Sequence, residues 1–190
     1  MNTSPILTAI CGGIGAGKSV VSRILRAMGR KVYDCDAEAR RIMDCDATIH
    51  ARLNSMIHPQ CVVGGKVDRR LISSIVFSDS ESLARLNSIV HSAVIQDIER
   101  WSRENAAEPR LWVETAIPHA SGIVDMVDSV WLVTAPVELR VQRVMLRNNL
   151  PESEILARID SQRDEENLPA ASILVNDGLT PLLPRIQSLL

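Results

Sequence analysis

After its first apolar run the chain reads Gly12-Gly13-Ile14-Gly15-Ala16-Gly17-Lys18-Ser19, which matches GxxxxGK(S/T) at every position. Residues 6–10 are apolar, and apolar residues at helical spacing follow, as a phosphate-binding loop (P-loop) between strand and helix requires. Glycines let backbone N–H groups approach phosphate oxygens without a Cβ clash, and the helix start adds a favourable dipole. The stretch predicts a nucleotide site in which Lys18 supplies charge to the β- and γ-phosphates and Ser19 a ligand to Mg²⁺.

Four further apolar runs, each followed by turn residues, resemble strands that are buried on both faces of a parallel sheet. They lie at residues 30–33, 111–113, 130–133 and 173–175. Between them the apolar spacing is helical, and no run of similar strength occurs from Ala37 to Val94. Because strands alternate with helices, the sequence predicts an α/β fold of the doubly wound type, with a five-stranded parallel sheet and helical insertions.

Composition excludes several classes of protein. The 190 residues are 46% hydrophobic and 23% charged, which is typical of one globular domain. A net charge of −2 argues against a nucleic-acid partner. No apolar run approaches the roughly 20 residues that span a bilayer, so no membrane partner is expected, and the first residues do not resemble a signal peptide. The four cysteines have neither CxxC nor metal-type spacing, which predicts reduced thiols in a cytoplasmic protein.

A P-loop alone does not distinguish a kinase from a GTPase or an ATPase. The chain has no guanine-reading Asn-Lys-x-Asp motif and no second ATPase signature, which favours a small-molecule kinase. Asp34 and Asp36 follow the second predicted strand, at the sheet edge where doubly wound folds bind ligands. Either carboxylate could accept a hydroxyl proton during phosphoryl transfer. The alternative is that they cap the next helix, with Asp36 as the N-cap, and the two roles could be divided between them.

Four arginines recur on predicted helices outside the sheet. They are Arg140, Arg143, Arg147 and Arg158. Guanidinium groups spread positive charge over several phosphoryl oxygens, so this region could form a closing lid. The alternative is a solvated helix face whose arginines pair with neighbouring glutamates.

Seven stretches of the chain occur in an order that is specific to one family. They are residues 7–19, 32–40, 65–71, 86–91, 142–147, 157–162 and 176–178. The first two, with Gly12-Gly13-Ile14-Gly15 and Val32-Tyr33-Asp34-Cys35-Asp36, carry most of the signal. Together the stretches resemble the dephospho-CoA kinases, P-loop kinases that catalyse the last step of coenzyme A synthesis, and the resemblance covers nearly the whole chain.

The resemblance implies phosphorylation of the ribose 3′-hydroxyl of dephospho-CoA, with ATP and Mg²⁺. It assigns catalysis to Asp36 as base, with Lys18 and Arg143. It implies an ATP site formed by Gly13, Gly15, Ala16, Gly17, Lys18, Ser19, Val20, Arg147, Asn176 and Gly178. On the acceptor side it implies Asp36, Arg40 and His91, to which we add Glu114 as a candidate carboxylate.

The resemblance also implies a division of the chain. We expect a P-loop core at residues 1–36, 108–136 and 168–190, a helical acceptor region at 37–107 and a lid at 137–167. The chain is expected to act as a monomer on a small-molecule substrate.

The chain departs from the family pattern at three positions. Val20 stands in place of a usual Thr, and Ser92 in place of Pro. Ala120 stands where the family has Glu, so Glu114 is considered as a replacement. His119 is either an acceptor contact or a loop residue, and the loop is favoured. Two alternatives therefore stay open: a P-loop relative that binds nucleotide without transfer, and a kinase for another nucleotide-like acceptor.

Overall fold

The structure is a computed structural model, which describes residues 4–168 and 171–190. The elements, in chain order, are β1 (Ile6–Cys11), α1 (Lys18–Ala27), β2 (Val32–Asp34), α2 (Cys35–Cys45), α3 (Ala47–Met56), β3 (Val62–Val63), β4 (Lys66–Val67), α4 (Arg69–Ser78), α5 (Ser80–Glu104), β5 (Arg110–Glu114), β6 (Ser129–Thr134), α6 (Val137–Asn148), α7 (Glu152–Ser161), β7 (Ser172–Val175) and α8 (Leu182–Leu189). Two 3₁₀ turns lie at Ile123–Asp125 and Asp164–Glu166. None of the helices described is long and apolar enough to cross a membrane.

The chain divides into two compact units. The first contains the described residues up to Tyr33 together with Asn105–Leu190, and the second is Asp34–Glu104. Each unit has its own packing and is described separately.

The first unit is built on the five-stranded sheet, whose strand order is β2-β5-β1-β6-β7. Strand β1 pairs in parallel with β5 on one side and with β6 on the other, and β6 pairs in parallel with β7. All five predicted strands are therefore confirmed, together with the parallel α/β fold. Because β1 is central, its side chains from Leu7 to Cys11 are buried, which explains why the run is apolar except for Thr8, whose hydroxyl is hydrogen-bonded to that of Ser129. The loop after β1 consequently emerges at the middle of the sheet's carboxyl edge.

The core of this unit lies between the sheet and helices α1 and α8. Val21 and Leu25 of α1 and Ile186 of α8 are fully buried against the strands. Trp112 and Trp131 meet edge to face with ring centroids 6.1 Å apart, a favoured aromatic geometry. A smaller cluster of Val141, Val144 and Ile155 packs α6 against α7, with Ile14 of the P-loop beside it. The α6–α7 pair is thus anchored on the P-loop by apolar contact.

The second unit contains helices α2 to α5 and the two-residue hairpin β3–β4. Aspartates begin all four of these helices, because the side chains of Asp34, Asp46, Asp68 and Asp79 accept from backbone N–H groups of the first turn. Helix α5 is 25 residues long and packs against α2, α3 and α4. The hairpin was not predicted, because each strand has only two residues and lacks a strand-length apolar pattern.

Candidate functional site

The P-loop, residues 12–19, connects the centre of the sheet to α1. The Lys18 ammonium donates to the Gly12 carbonyl at 2.7 Å, so the side chain folds back over the loop. Gly12 and Gly17 have φ angles of +140° and +100°, which other residues rarely adopt. A Cβ on Gly12 would overlap the backbone carbonyl of Val133, and one on Gly17 would overlap the Asn176 amide. The loop shape therefore depends on glycine at both positions.

The N–H groups of the loop fall into two sets. Gly13 N–H donates to Glu166 Oε1 at 2.9 Å, and Ile14 N–H donates to Gln162 Oε1 at 2.7 Å. Within the described residues, no protein group accepts from the N–H of Gly15 or Gly17. The first set is bound by the protein, and the second is available to phosphate oxygens at the start of a helix, where anions are favoured.

Two arginines of α6 contact the loop. Arg140 is buried; its Nε donates to the Ile14 carbonyl at 2.8 Å, and its Nη2 pairs with Glu166 Oε1 at 2.9 Å. Arg143 donates from Nη1 to the Gly15 carbonyl at 3.3 Å and from Nη2 to the Asn176 carbonyl at 3.0 Å. The structure thus brings Arg143, as well as Arg140, to the P-loop.

The other two candidate arginines of this region lie away from the loop. Arg147 is exposed in the last turn of α6, with its Nε on Asn148 Oδ1 at 2.7 Å. Arg158 forms an exposed ion pair with Glu154 at 2.6 Å, as the solvated-face alternative predicts. In this arrangement the four arginines do not form one cluster.

The turn after β7 also reaches the P-loop. Asn176 is buried, and its Nδ2 donates to the Ala16 carbonyl at 2.9 Å. Gly178 has a φ of +82° with open space at its Cβ position. Of the proposed ATP-site residues in this turn, Asn176 therefore contacts the loop directly. The space around the Cβ position of Gly178 is open.

A carboxylate occupies the segment where the family pattern has a glutamate and this chain has Ala120. Glu165 accepts from the N–H of His119 at 2.8 Å and from the N–H of Ala120 at 3.0 Å. The His119 ring contacts the Asn167 carbonyl at 3.2 Å, and the residue lies in a turn as expected. Glu114 ends β5 and is half-buried. Sequence reasoning gave Glu165 no role, since an acidic run after a helix is usually a solvated surface.

The remaining candidates lie in the helical unit. The alternative that Asp36 is the N-cap of α2 is wrong, because Asp34 Oδ1 accepts from Ala37 N–H at 3.0 Å and fills that position. Asp36 is exposed in the first turn of α2, and Arg40 follows one turn later on the same face. His91 lies half-buried on α5.

The cysteine that ends β1 lies at the start of the P-loop without acting as a nucleophile. Burial is the main reason that the pKa of Cys11 is raised to about 12, although Lys18 nearby lowers it. The thiol therefore stays protonated at neutral pH and is a weak nucleophile. Burial also raises the pKa of Cys61.

None of the four cysteines, all of which lie in the described part of the chain, forms a disulfide, and Cys45 alone among them is exposed. We expect one thiol per native chain to react rapidly with an aromatic disulfide reagent at pH 8, and all four to react in denaturant. Absorbance of the released thiolate measures both counts, and Cys45→Ser should remove the fast phase. A second fast-reacting thiol in the native protein would contradict the buried placement of the other three.

No cluster of three or more His, Cys, Asp or Glu side chains that could hold a metal ion occurs in residues 4–168 and 171–190. This arrangement is compatible with Mg²⁺ that arrives with a nucleotide, because such Mg²⁺ uses few protein ligands and several phosphate and water oxygens. The exposed hydroxyl of Ser19, in the first turn of α1, is suited to be one of them.

Comparison with known proteins supplies the family. The sequence profile of dephospho-CoA kinase matches residues 6–181. A dephospho-CoA kinase of Bacteroides fragilis is 37% identical over 97% of this chain and 91% of its own length.

Solved structures agree with this match. A crystal structure from Thermus thermophilus has a TM-score of 0.78 at 36% identity, covering 97% of this chain and 94% of that one. Dephospho-CoA kinase from Campylobacter jejuni has a TM-score of 0.68 at 26% identity, covering 95% and 92%. The family profile spans almost all residues of this chain, whose sheet and P-loop are described above. This chain therefore belongs to the dephospho-CoA kinase family.

Proposed function

We propose that this chain transfers the γ-phosphoryl group of ATP to the ribose 3′-hydroxyl of dephospho-CoA and releases coenzyme A and ADP. The observation that carries the proposal is the P-loop of a chain of this family, with Lys18 folded over it and with no acceptor among the described residues for the N–H groups of Gly15 and Gly17.

On the ATP side, the P-loop binds the phosphates through backbone N–H groups and through Lys18, which can swing from the Gly12 carbonyl to the β- and γ-phosphates. Asn176 and Gly178 border the adenine, and Val20 lies in the first turn of α1 beside the α-phosphate. Arg143 neutralises charge that develops on the phosphoryl group. Its contacts with the Gly15 and Asn176 carbonyls support this role, because they hold the guanidinium beside the loop.

Mg²⁺ accompanies the nucleotide, with the Ser19 hydroxyl as the proposed protein ligand. When bound, the ion neutralises charge on the phosphate oxygens.

Asp36 is the proposed general base. Its carboxylate accepts the proton of the 3′-hydroxyl as that oxygen attacks the γ-phosphorus, and the bond to the β–γ bridging oxygen breaks so that ADP leaves with the electron pair. Two facts support this choice: Asp36 lies two residues after the end of β2, and Asp34 rather than Asp36 caps α2. We assign Arg40, His91 and Glu114 to acceptor binding.

The corresponding division of the chain is a P-loop core at residues 1–36, 108–136 and 168–190, an acceptor region at 37–107 and a lid at 137–167. The lid excludes water so that transfer outruns ATP hydrolysis. We place the reaction in the cytoplasm, in keeping with four cysteines that form no disulfide in the described residues. A monomer is the proposed working unit.

A coupled assay of ADP release with Mg-ATP, with and without dephospho-CoA, tests the proposal. We expect ADP release to depend on dephospho-CoA and to produce coenzyme A, identified by mass spectrometry. Adenosine and a nucleoside monophosphate serve as control acceptors. Equal turnover of either control would reject dephospho-CoA as the specific acceptor, and nucleotide binding without acceptor-dependent turnover would identify a non-catalytic relative.

A further inference from the structure

Three side chains from outside the P-loop bind its first two variable residues, and we call them the P-loop clamp: Arg140, Gln162 and Glu166. The Gly13 N–H donates to Glu166, and the Ile14 N–H donates to Gln162. The Ile14 carbonyl accepts from Arg140 Nε at 2.8 Å. The clamp therefore holds the peptide groups of this segment in one orientation.

The two charged members of the clamp form a shielded pair. The Arg140 side chain is 5% exposed and that of Glu166 is 25% exposed. Nη2 lies 2.9 Å from Oε1, and Nη1 donates to Oε2 at 3.3 Å, so both carboxylate oxygens face the guanidinium. A shielded charge pair needs further hydrogen bonds to each partner. The Gly13 N–H supplies one to Glu166, and the Ile14 carbonyl accepts one from Arg140.

The sequence carries a matching feature at Gly13. A Cβ at this position would overlap both Arg140 Nη2 and Glu166 Oε1. The GxxxxGK(S/T) motif does not itself require glycine here, and the φ angle of Gly13 is not among the positive ones. Glycine at position 13 is explained by the space that the ion pair needs against the backbone.

We propose that the three residues of the P-loop clamp, Arg140, Gln162 and Glu166, are positioning residues for nucleotide binding. They act through the peptide groups of Gly13 and Ile14, and thereby keep the N–H groups of Gly15 and Gly17 turned toward the phosphates. Dihedral angles in a loop this short are linked, so the two bound peptides fix the direction of the next N–H groups. The inference rests on the proposed function only in taking ATP as the ligand.

The test measures nucleotide affinity separately from fold stability. Mg-ADP and Mg-ATP are titrated by calorimetry without acceptor, and thermal unfolding is recorded for each variant. Glu166→Ala should weaken both nucleotides at least about tenfold, because the Gly13 N–H loses a charged acceptor. Glu154→Ala is the matched control, since it breaks the exposed pair with Arg158 and should leave nucleotide affinity unchanged.

A double variant separates positioning from stability. Arg140→Met with Glu166→Met replaces the shielded pair by apolar groups of similar size, a change that often restores stability. We expect its melting temperature to recover toward wild type while nucleotide affinity stays weakened at least about tenfold, because Gly13 still lacks its acceptor. Wild-type affinity together with recovered stability would overturn the proposal, as would wild-type affinity in Glu166→Ala.

If either Glu166 variant fails to fold, Gln162→Ala carries the test, because it removes a neutral acceptor from the Ile14 N–H and leaves the ion pair intact. A loss of nucleotide affinity of at least about threefold supports the proposal, and unchanged affinity overturns it. Failure of wild type to use dephospho-CoA would reject the proposed function alone, since these titrations contain no acceptor.

Discussion

We expect Asp36→Asn to lower kcat for dephospho-CoA phosphorylation by about 100-fold or more, the range that a general base supplies. That factor corresponds to about 2.7 kcal/mol of transition-state stabilisation. Asparagine has nearly the same size but cannot accept the hydroxyl proton, so binding of both substrates should change little. Initial rates of ADP release over a range of dephospho-CoA concentrations separate kcat from KM.

The chain offers a matched control two residues away. Asp34→Asn is the same chemical change at the N-cap of α2, where Asn serves as well as Asp. We expect Asp34→Asn to keep wild-type kcat and stability. If Asp36→Asn retains the full rate, Asp36 is not the base. If Asp34→Asn loses activity instead, the two aspartates have the opposite roles.

Gly12→Ala should destabilise the protein by about 2–5 kcal/mol, the sum of left-handed backbone strain and forced packing. The residue has a φ of +140°, and its new Cβ would overlap the Val133 carbonyl. Val133 is fully buried in β6, between β1 and β7, so its backbone has no room to move aside. Urea unfolding followed by circular dichroism gives the free energy of unfolding.

Gly29→Ala is the control for backbone strain alone. Gly29 has a φ of +76° but open space where a Cβ would lie. Its replacement should cost only about 1–2 kcal/mol. The difference between the two variants measures the clash with Val133. Equal losses at both positions would show that the clash contributes nothing and that the strand gives way.

Local pattern was sufficient for most of the fold. Each of the five predicted runs became a strand of the sheet. The inner strands β5, β1 and β6 are largely buried, as parallel strands covered by helices require, whereas Ile173 and Val175 of the edge strand β7 are exposed. The β3–β4 hairpin escaped prediction, because its two-residue strands have no such pattern. A helix side chain binds this hairpin: Asn54 of α3 donates to the Val62 carbonyl and accepts from the Val62 N–H.

The first residue of α2 could not be predicted from the local sequence pattern. Asp34 and Asp36 are both residues that favour an N-cap, and sequence could not choose between them. The structure does, because β2 continues through Asp34 with extended backbone and the helix begins at Cys35. A shift of two residues, within the usual uncertainty of helix ends, changes which carboxylate is left for chemistry.

The sequence by itself determined the P-loop, the order of strands and helices along the chain, and the family resemblance, since each depends on residues that are close together or on their order. Tertiary structure alone decided which side chains surround the P-loop. Arg140, Gln162 and Glu166 reach Gly13 and Ile14 across separations of 126 to 153 residues. Glu165, which reads as part of an exposed acidic run, binds the amides of His119 and Ala120. Such contacts arise because a central strand and the helices that follow it bring distant segments to one edge of the sheet, and no local spacing records that approach.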